Sequence, residues 1–117
     1  MSDPLARVFA YPFSSIYGLY AAKVTKKGRT QAELDEVLRW FTGLDAAALA
    51  GHVAAGSSLE QLFAAANLPP GAALVTGVVC GVRVEAVEDP LMRKIRAMDK
   101  LVDELAKGKK VEKVLRA

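Results

Sequence analysis

Apolar residues return along the first third of the chain with the period of an α-helix. Phe13, Ile16, Tyr17, Tyr20 and Val24 fall at i, i+3, i+4, i+7 and i+11, one face of a helix that Pro12 can begin and Gly28 can end. Thr30 with Glu33 three residues later has the spacing of a capping box. A second helix is therefore predicted, burying Leu34, Val37, Leu38 and Phe41 and stopping at Gly43. Asp45 is read as the cap of a short alanine-rich helix that runs through Leu49 and Val53 to Gly56. Ser57 with Glu60 repeats the capping-box spacing for a helix that buries Leu59, Leu62, Phe63 and Ala66. Asn67 is placed as its left-handed terminator, ahead of a Pro69-Pro70-Gly71 loop.

The clearest stripe lies near the end. Asp89 before Pro90 is a strong helix start, because the carboxylate caps free amides while proline occupies a first-turn position that needs no donor. Leu91, Ile95, Met98, Val102 and Leu105 then step by four and three. Lys100 with Glu104, and Asp103 with Lys107, stand four apart on the outer face. Gly108 ends this helix, and a short basic helix follows around Val111, Val114 and Leu115. The segment from Leu74 to Val87 reads two ways. Val75, Val78, Val79 and Val82 suit a helix, whereas Cys80, Val82, Val84 and Ala86 alternate like a strand, and its valines favour a strand. The expected fold class is all-α, one domain over residues 1–117 of five or six short helices with a basic segment at 109–117. A β-hairpin at about 74–87 would make it α+β.

Composition narrows the setting. With 117 residues of which 52% are hydrophobic, the chain can close one core without disulfides or metal. Cys80 is the single cysteine, so no internal disulfide can form, and a reducing cytoplasm is expected. Residues Met1 to Arg7 lack the basic start and apolar run of a secretory signal. Gln61 to Val82 carries no charged side chain, but Asn67 to Gly71 breaks it, and Ala72 to Val82 is about half the roughly 20 residues a spanning helix needs. No membrane role is expected.

Charge is uneven. The chain carries +3, yet residues 107–117 hold Lys107, Lys109, Lys110, Lys113 and Arg116 against Glu112 alone, a surplus of four positive charges. A second basic cluster is Lys23, Lys26, Lys27 and Arg29. Together these residues form the candidate patch for an anion or nucleic acid, since phosphate contacts need clustered cations more than special geometry. Lysines at helix ends equally suit the helix dipole and solvent.

Catalytic candidates are few. His52 is the only histidine and is read as a partly exposed helix residue. No nucleophile elbow, phosphate loop or dinucleotide fingerprint occurs. Cys80 beside Arg83 has the chemistry of a nucleophile whose thiolate a cation favours, but flanking valines and glycines place it in the interior as a packing residue. Tyr17 and Trp40, with Cys80 and Arg83, would be the lining of a ligand pocket; at helical spacing the aromatics, Tyr20 among them, read as core. Caps and i,i+4 pairs absorb most of Glu85, Glu88, Asp89, Asp99 and Asp103, so neither metal nor cofactor is expected. The function expected is that of a non-enzymatic interaction module that binds a partner protein or a second copy of itself, with nucleic acid as a weaker partner. A small-molecule-binding protein or enzyme is the competing class.

Separated runs along the chain carry a resemblance. Arg7-Val8-Phe9, Lys26-Lys27-Gly28-Arg29-Thr30 and Trp40-Phe41-Thr42-Gly43 are followed by Thr76-Gly77-Val78-Val79-Cys80-Gly81-Val82-Arg83-Val84-Glu85, Glu88-Asp89-Pro90-Leu91-Met92 and the run from Lys100 to Lys109. In these runs the chain resembles the bacterial family known as domain of unknown function 2200. The resemblance implies a compact, mostly helical fold and transfers no catalytic or binding residue.

The capping-box reading is testable on its own. Thr30→Ala removes the hydroxyl half of the box and is expected to cost about 1 kcal/mol in urea unfolding. An unchanged midpoint would place that helix start elsewhere.

Overall fold

The structure, a computed structural model, describes residues 4–115. Seven α-helices occur among them: α1 (Pro4–Phe9), α2 (Phe13–Lys26), α3 (Gln31–Thr42), α4 (Ala46–Ala55), α5 (Leu59–Ala65), α6 (Pro90–Ala106) and α7 (Val111–Val114). Between α5 and α6 lie two 3-10 turns, Pro70–Leu74 and Val84–Ala86, on either side of a hairpin of two-residue strands, β1 (Val78–Val79) and β2 (Val82–Arg83). The fold is all-α with one small hairpin.

Local chemistry sets most helix ends. The Thr30 hydroxyl accepts the Glu33 amide at 3.1 Å, and the Glu33 carboxylate accepts the Thr30 amide at 3.0 Å, so the capping box is complete. Asp45 accepts from the Ala48 amide at 2.7 Å, and Asp89 from the Met92 amide at 2.9 Å. Gly43 ends α3 at φ 71°. Here glycine is required twice over, since a Cβ would also meet the Asn67 carbonyl oxygen at 2.1 Å.

Three local expectations are corrected. The box that starts α5 is Ser58 with Gln61, one residue later than Ser57 with Glu60. Ser57 is already engaged: its carbonyl accepts the Phe13 amide at 2.7 Å, its amide donates to His52, and its hydroxyl lies 2.8 Å from His52 Nδ1. Asn67 is not left-handed. The chain leaves α5 extended at Ala66, and the Asn67 amide donates to the Thr42 carbonyl at 2.7 Å, which ties the end of α5 to the end of α3. Helix α1 is absent from the sequence-based expectation, because six residues hold too little of a stripe. It packs on α5, with Leu5, Val8 and Phe9 against the core.

The ambiguous segment resolves into neither a long helix nor a long strand. Val79 pairs with Val82, and the connecting pair Cys80-Gly81 has φ of 50° and 76°, the two positive values of a type I′ turn. Cys80 is therefore exposed at the tip instead of buried as expected. The flanking valines and glycines that suggested burial form the hairpin and its turn, which bury Val79 while Val84, just past it, is buried in the second 3-10 turn.

The core gathers on α6. Met98, Leu101, Val102 and Leu105 are fully or almost fully buried against Phe13 and Val24 of α2, Leu34, Val37, Leu38 and Phe41 of α3, Leu59 and Leu62 of α5, and Val114 of α7. Tyr20 is buried, whereas Tyr17 and Trp40 are half-buried at the edge of that core.

Cys80 is the one non-glycine residue with positive φ among those described. A left-handed cysteine costs about 1–2 kcal/mol, and asparagine followed by glycine is the preferred type I′ pair. Cys80→Asn is accordingly expected to stabilise the fold by about 1 kcal/mol, and the native thiol to react with a thiol reagent as fast as the denatured one. Slow native labelling would return Cys80 to the interior.

Candidate functional site

The C-terminal ends of α2 and α6 lie side by side, because the two helices run parallel: Tyr20 meets Asp99, and one turn on Lys23 meets Asp103. This alignment joins the two basic clusters into one end of the molecule. Asp103 holds Lys23 at 3.1 Å and Lys107 at 3.0 Å. Glu104 holds Lys109 at 3.3 Å and Lys100 at 3.9 Å. Arg29 pairs with Glu33 at 2.7 Å at the turn into α3, and α7 packs on α3 and α6. Lys26, Lys27, Lys110 and Lys113 are exposed, and no carboxylate among the described residues lies within ion-pair distance of them. Arg116, the remaining member of the expected patch, lies outside the described residues.

Beneath this end is a buried polar seam. The Tyr20 hydroxyl donates to Asp99 Oδ1, and Arg96 reaches Asp99 Oδ2 at 3.5 Å. Burial raises the Asp99 carboxyl above its ordinary value, against the opposing pull of the Tyr20 hydroxyl, Arg96 and Lys23. Burial, followed by the charge of Asp99, pushes the Tyr20 phenol well above its usual range, so it remains a donor. At Asp103 burial works against ionisation, but the ammonium groups of Lys107 and Lys23 hold its carboxyl below the ordinary value. Sequence reading groups Asp99 with Asp103 but misses its partner, 79 positions away in Tyr20.

The four residues expected to line one pocket share none of the hollows described below. Arg83 pairs with Glu85 at 3.2 Å on the hairpin, Glu85 also accepts the Gly77 amide at 3.0 Å, and Cys80 caps the hairpin tip. The Gly77 amide, more than any other group, holds the Glu85 carboxyl below its ordinary value. Lys100 fastens the hairpin to α6 by donating to the Val78 carbonyl at 3.2 Å. Tyr17 turns to α3, where its hydroxyl donates to Asp35 at 2.5 Å and accepts from Gln31 at 2.7 Å. It edges a hollow of about 370 Å³ with Arg39, Leu49 and Val53.

A second hollow, of about 240 Å³ next to Asp99 and Arg96, is walled by Val8, Ile16, Leu59 and Ile95. A third, about 490 Å³, opens between the Pro69-Pro70 loop and the N-terminal half of α6, with Glu88, Arg93 and Lys94 at its polar edge. Trp40, Cys80 and Arg83 line none of these three hollows. Cys80 stands exposed at a turn tip, and Arg83 is held in a surface ion pair with Glu85. Sequence reading passes over Arg93 and Lys94, since nothing in the chain order sets them opposite the Pro69-Pro70 loop. Among the described residues no group of three or more His, Cys, Asp or Glu is placed to hold a metal ion, and no helix is long and apolar enough to cross a membrane.

Fold and surface together define a small helical domain built on one central helix, with a hairpin strapped to it and a cationic end. The chain belongs to the family described as "Uncharacterized protein conserved in bacteria (DUF2200)", whose family model matches residues 7–116. The crystal structure of uncharacterized protein SP1917 is similar throughout, with a TM-score of 0.88 and 35% sequence identity over 98% of this chain and 93% of that one. No curated protein matches. Both the family and the protein of that crystal structure are uncharacterized, so neither brings an activity to this chain.

The seam has a signed pH dependence. Because the folded Asp99 carboxyl titrates above the unfolded one, its stabilising contribution is complete below the unfolded value of about 3.9 and is lost as pH rises through the raised folded value. Asp99→Asn keeps an acceptor for Tyr20 and removes that titration. The stability of the variant relative to the parent, from urea unfolding, is expected to be higher at pH 7 than at pH 4. A relative stability that falls with pH would mean that Arg96 and Lys23 outweigh burial.

Proposed function

We propose that this protein is a non-catalytic interaction module that receives an acidic face of a partner protein on its basic end. The observation that carries the reading is the convergence of the two lysine clusters at the ends of α2 and α6. Inner lysines are held by Asp103 and Glu104, while Lys26, Lys27, Lys110 and Lys113 keep their charge for a partner. Clustered like charge steers an oppositely charged partner and favours association. A protein is preferred over nucleic acid because neither α7 nor the lysines beside it, Lys109 and Lys110, bring an aromatic side chain on which bases could stack. The unpaired, exposed thiol suits a reducing compartment, and we assign the protein to the cytoplasm.

The test compares the parent with a variant carrying Lys26→Glu, Lys27→Glu, Lys110→Glu and Lys113→Glu, titrated with a labelled poly-glutamate peptide and with duplex DNA at about 150 mM salt. The peptide is expected to bind the parent and to lose at least about tenfold in affinity to the variant, given up to about 1 kcal/mol per exposed charge pair. DNA is expected to bind neither. Equal affinity of parent and variant for the peptide would refute the module, and DNA binding that the reversal abolishes would move the assignment to nucleic acid. Sedimentation of the parent alone decides whether the partner is a second copy.

A further inference from the structure

We infer that the cavity between the Pro69-Pro70 loop and the N-terminal half of α6 is a binding site for a small amphipathic carboxylate, its apolar body inside and its head on Arg93 and Lys94. The walls are Phe41, Leu68, Val75, Val84 and Ala97. Phe41, Val75, Val84 and Ala97 lie beneath it as buried core, so the apolar surface that a ligand can touch is that of Leu68, Pro69, Pro70, Ala72 and Ala73. Pro69 and Pro70 cannot donate backbone hydrogen bonds, and Ala72 and Ala73 of the 3-10 turn Pro70–Leu74 that follows line the cavity with methyl groups. A volume of about 490 Å³ falls within the range of small-ligand sites.

The polar edge selects the ligand class. Arg96 and Lys100, further along α6, are neutralised by Asp99 and Glu104. Arg93 and Lys94 have no carboxylate within ion-pair distance among the described residues, and both face the cavity with Glu88. Two cations and one carboxylate leave a single positive charge. That matches a monoanion better than a phosphate dianion, and Glu88 turns away a second negative charge. A guanidinium offers a carboxylate two parallel donors, which fixes the head while the apolar side chains of the 68–73 loop take the tail. The site lies on the opposite half of α6 from the basic end, so it stands or falls independently of the proposed partner surface.

The experiment titrates decanoate, below its micellar concentration, into the full-length protein while amide chemical shifts are followed; decylamine and methyl decanoate serve as probes of the same length. Decanoate is expected to shift amides of the 68–75 loop and the first half of α6, with the amine and the ester at least about tenfold weaker. Arg93→Ala with Lys94→Ala should weaken decanoate at least about tenfold. Ala73→Trp, a change at an exposed wall position that leaves the core intact, should block it. Absence of saturable binding, equal binding of the amine, or decanoate binding untouched by both variants would each overturn the assignment.

Discussion

Met98, Leu101, Val102 and Leu105 can leave water only if several elements close on α6 from different sides, and this single requirement orders the rest of the fold. Helices α2 and α3 cover one flank, α5 another, the hairpin and its 3-10 turn a third, and α7 returns to seal the end with Val114. Each buried side chain of this size contributes about 1.5–3 kcal/mol relative to exposure, far more than any surface ion pair. The caps and pairs therefore choose where helices begin and how they are aligned. They do not supply the bulk of the stability.

Alignment is where the polar seam matters. An apolar stripe alone would let α2 slide along α6 by a turn at small cost, because one leucine-sized contact resembles the next. The Tyr20 hydroxyl on Asp99, followed one turn later by Lys23 on Asp103, admits one register only. Burying the Asp99 carboxylate costs desolvation, visible in its raised titration, so this contact specifies geometry more than it adds stability. The same register brings the ends of α2 and α6 together, and with them two lysine clusters separated by some eighty residues of chain. The basic end is thus a consequence of how the core is aligned.

Local signals are legible in the sequence wherever one residue decides a backbone conformation. Thr30 with Glu33, Asp45, Asp89-Pro90 and Gly43 all act as expected, and the stripes of α2, α3 and α6 face the core, with Ile16, Tyr17 and Leu91 half-buried at its edge. Errors arise where two readings differ by one residue or by a distant partner. Ser57 and Ser58 offer the same box spacing one position apart, and only the Phe13 amide on the Ser57 carbonyl decides between them. Cys80 has the apolar neighbours of a buried residue, yet a two-residue turn exposes its central pair whatever the neighbours are. The basic clusters are visible as composition. That they share an end, that Tyr20 meets Asp99, and that Arg93 and Lys94 face a cavity are tertiary facts without a local signal.

Concentrating lysines at one end creates a repulsion that the fold must contain. Asp103 and Glu104 each hold two ammonium groups and are each partly shielded from solvent, so that four lysines are fixed by two carboxylates. Lys23, Lys100, Lys107 and Lys109 are consequently part of the scaffold, tying α2, the hairpin, the end of α6 and the approach to α7 to one another. The outer Lys26, Lys27, Lys110 and Lys113 carry no such duty, and their mutual repulsion is moderated by water and salt because all are exposed. Structural charges and those of the proposed partner surface therefore reside on different residues. Loss of Asp103 would disturb both, since it frees two lysines at once and removes one rung of the α2–α6 register. Loss of an outer lysine changes only the electrostatic field at that end.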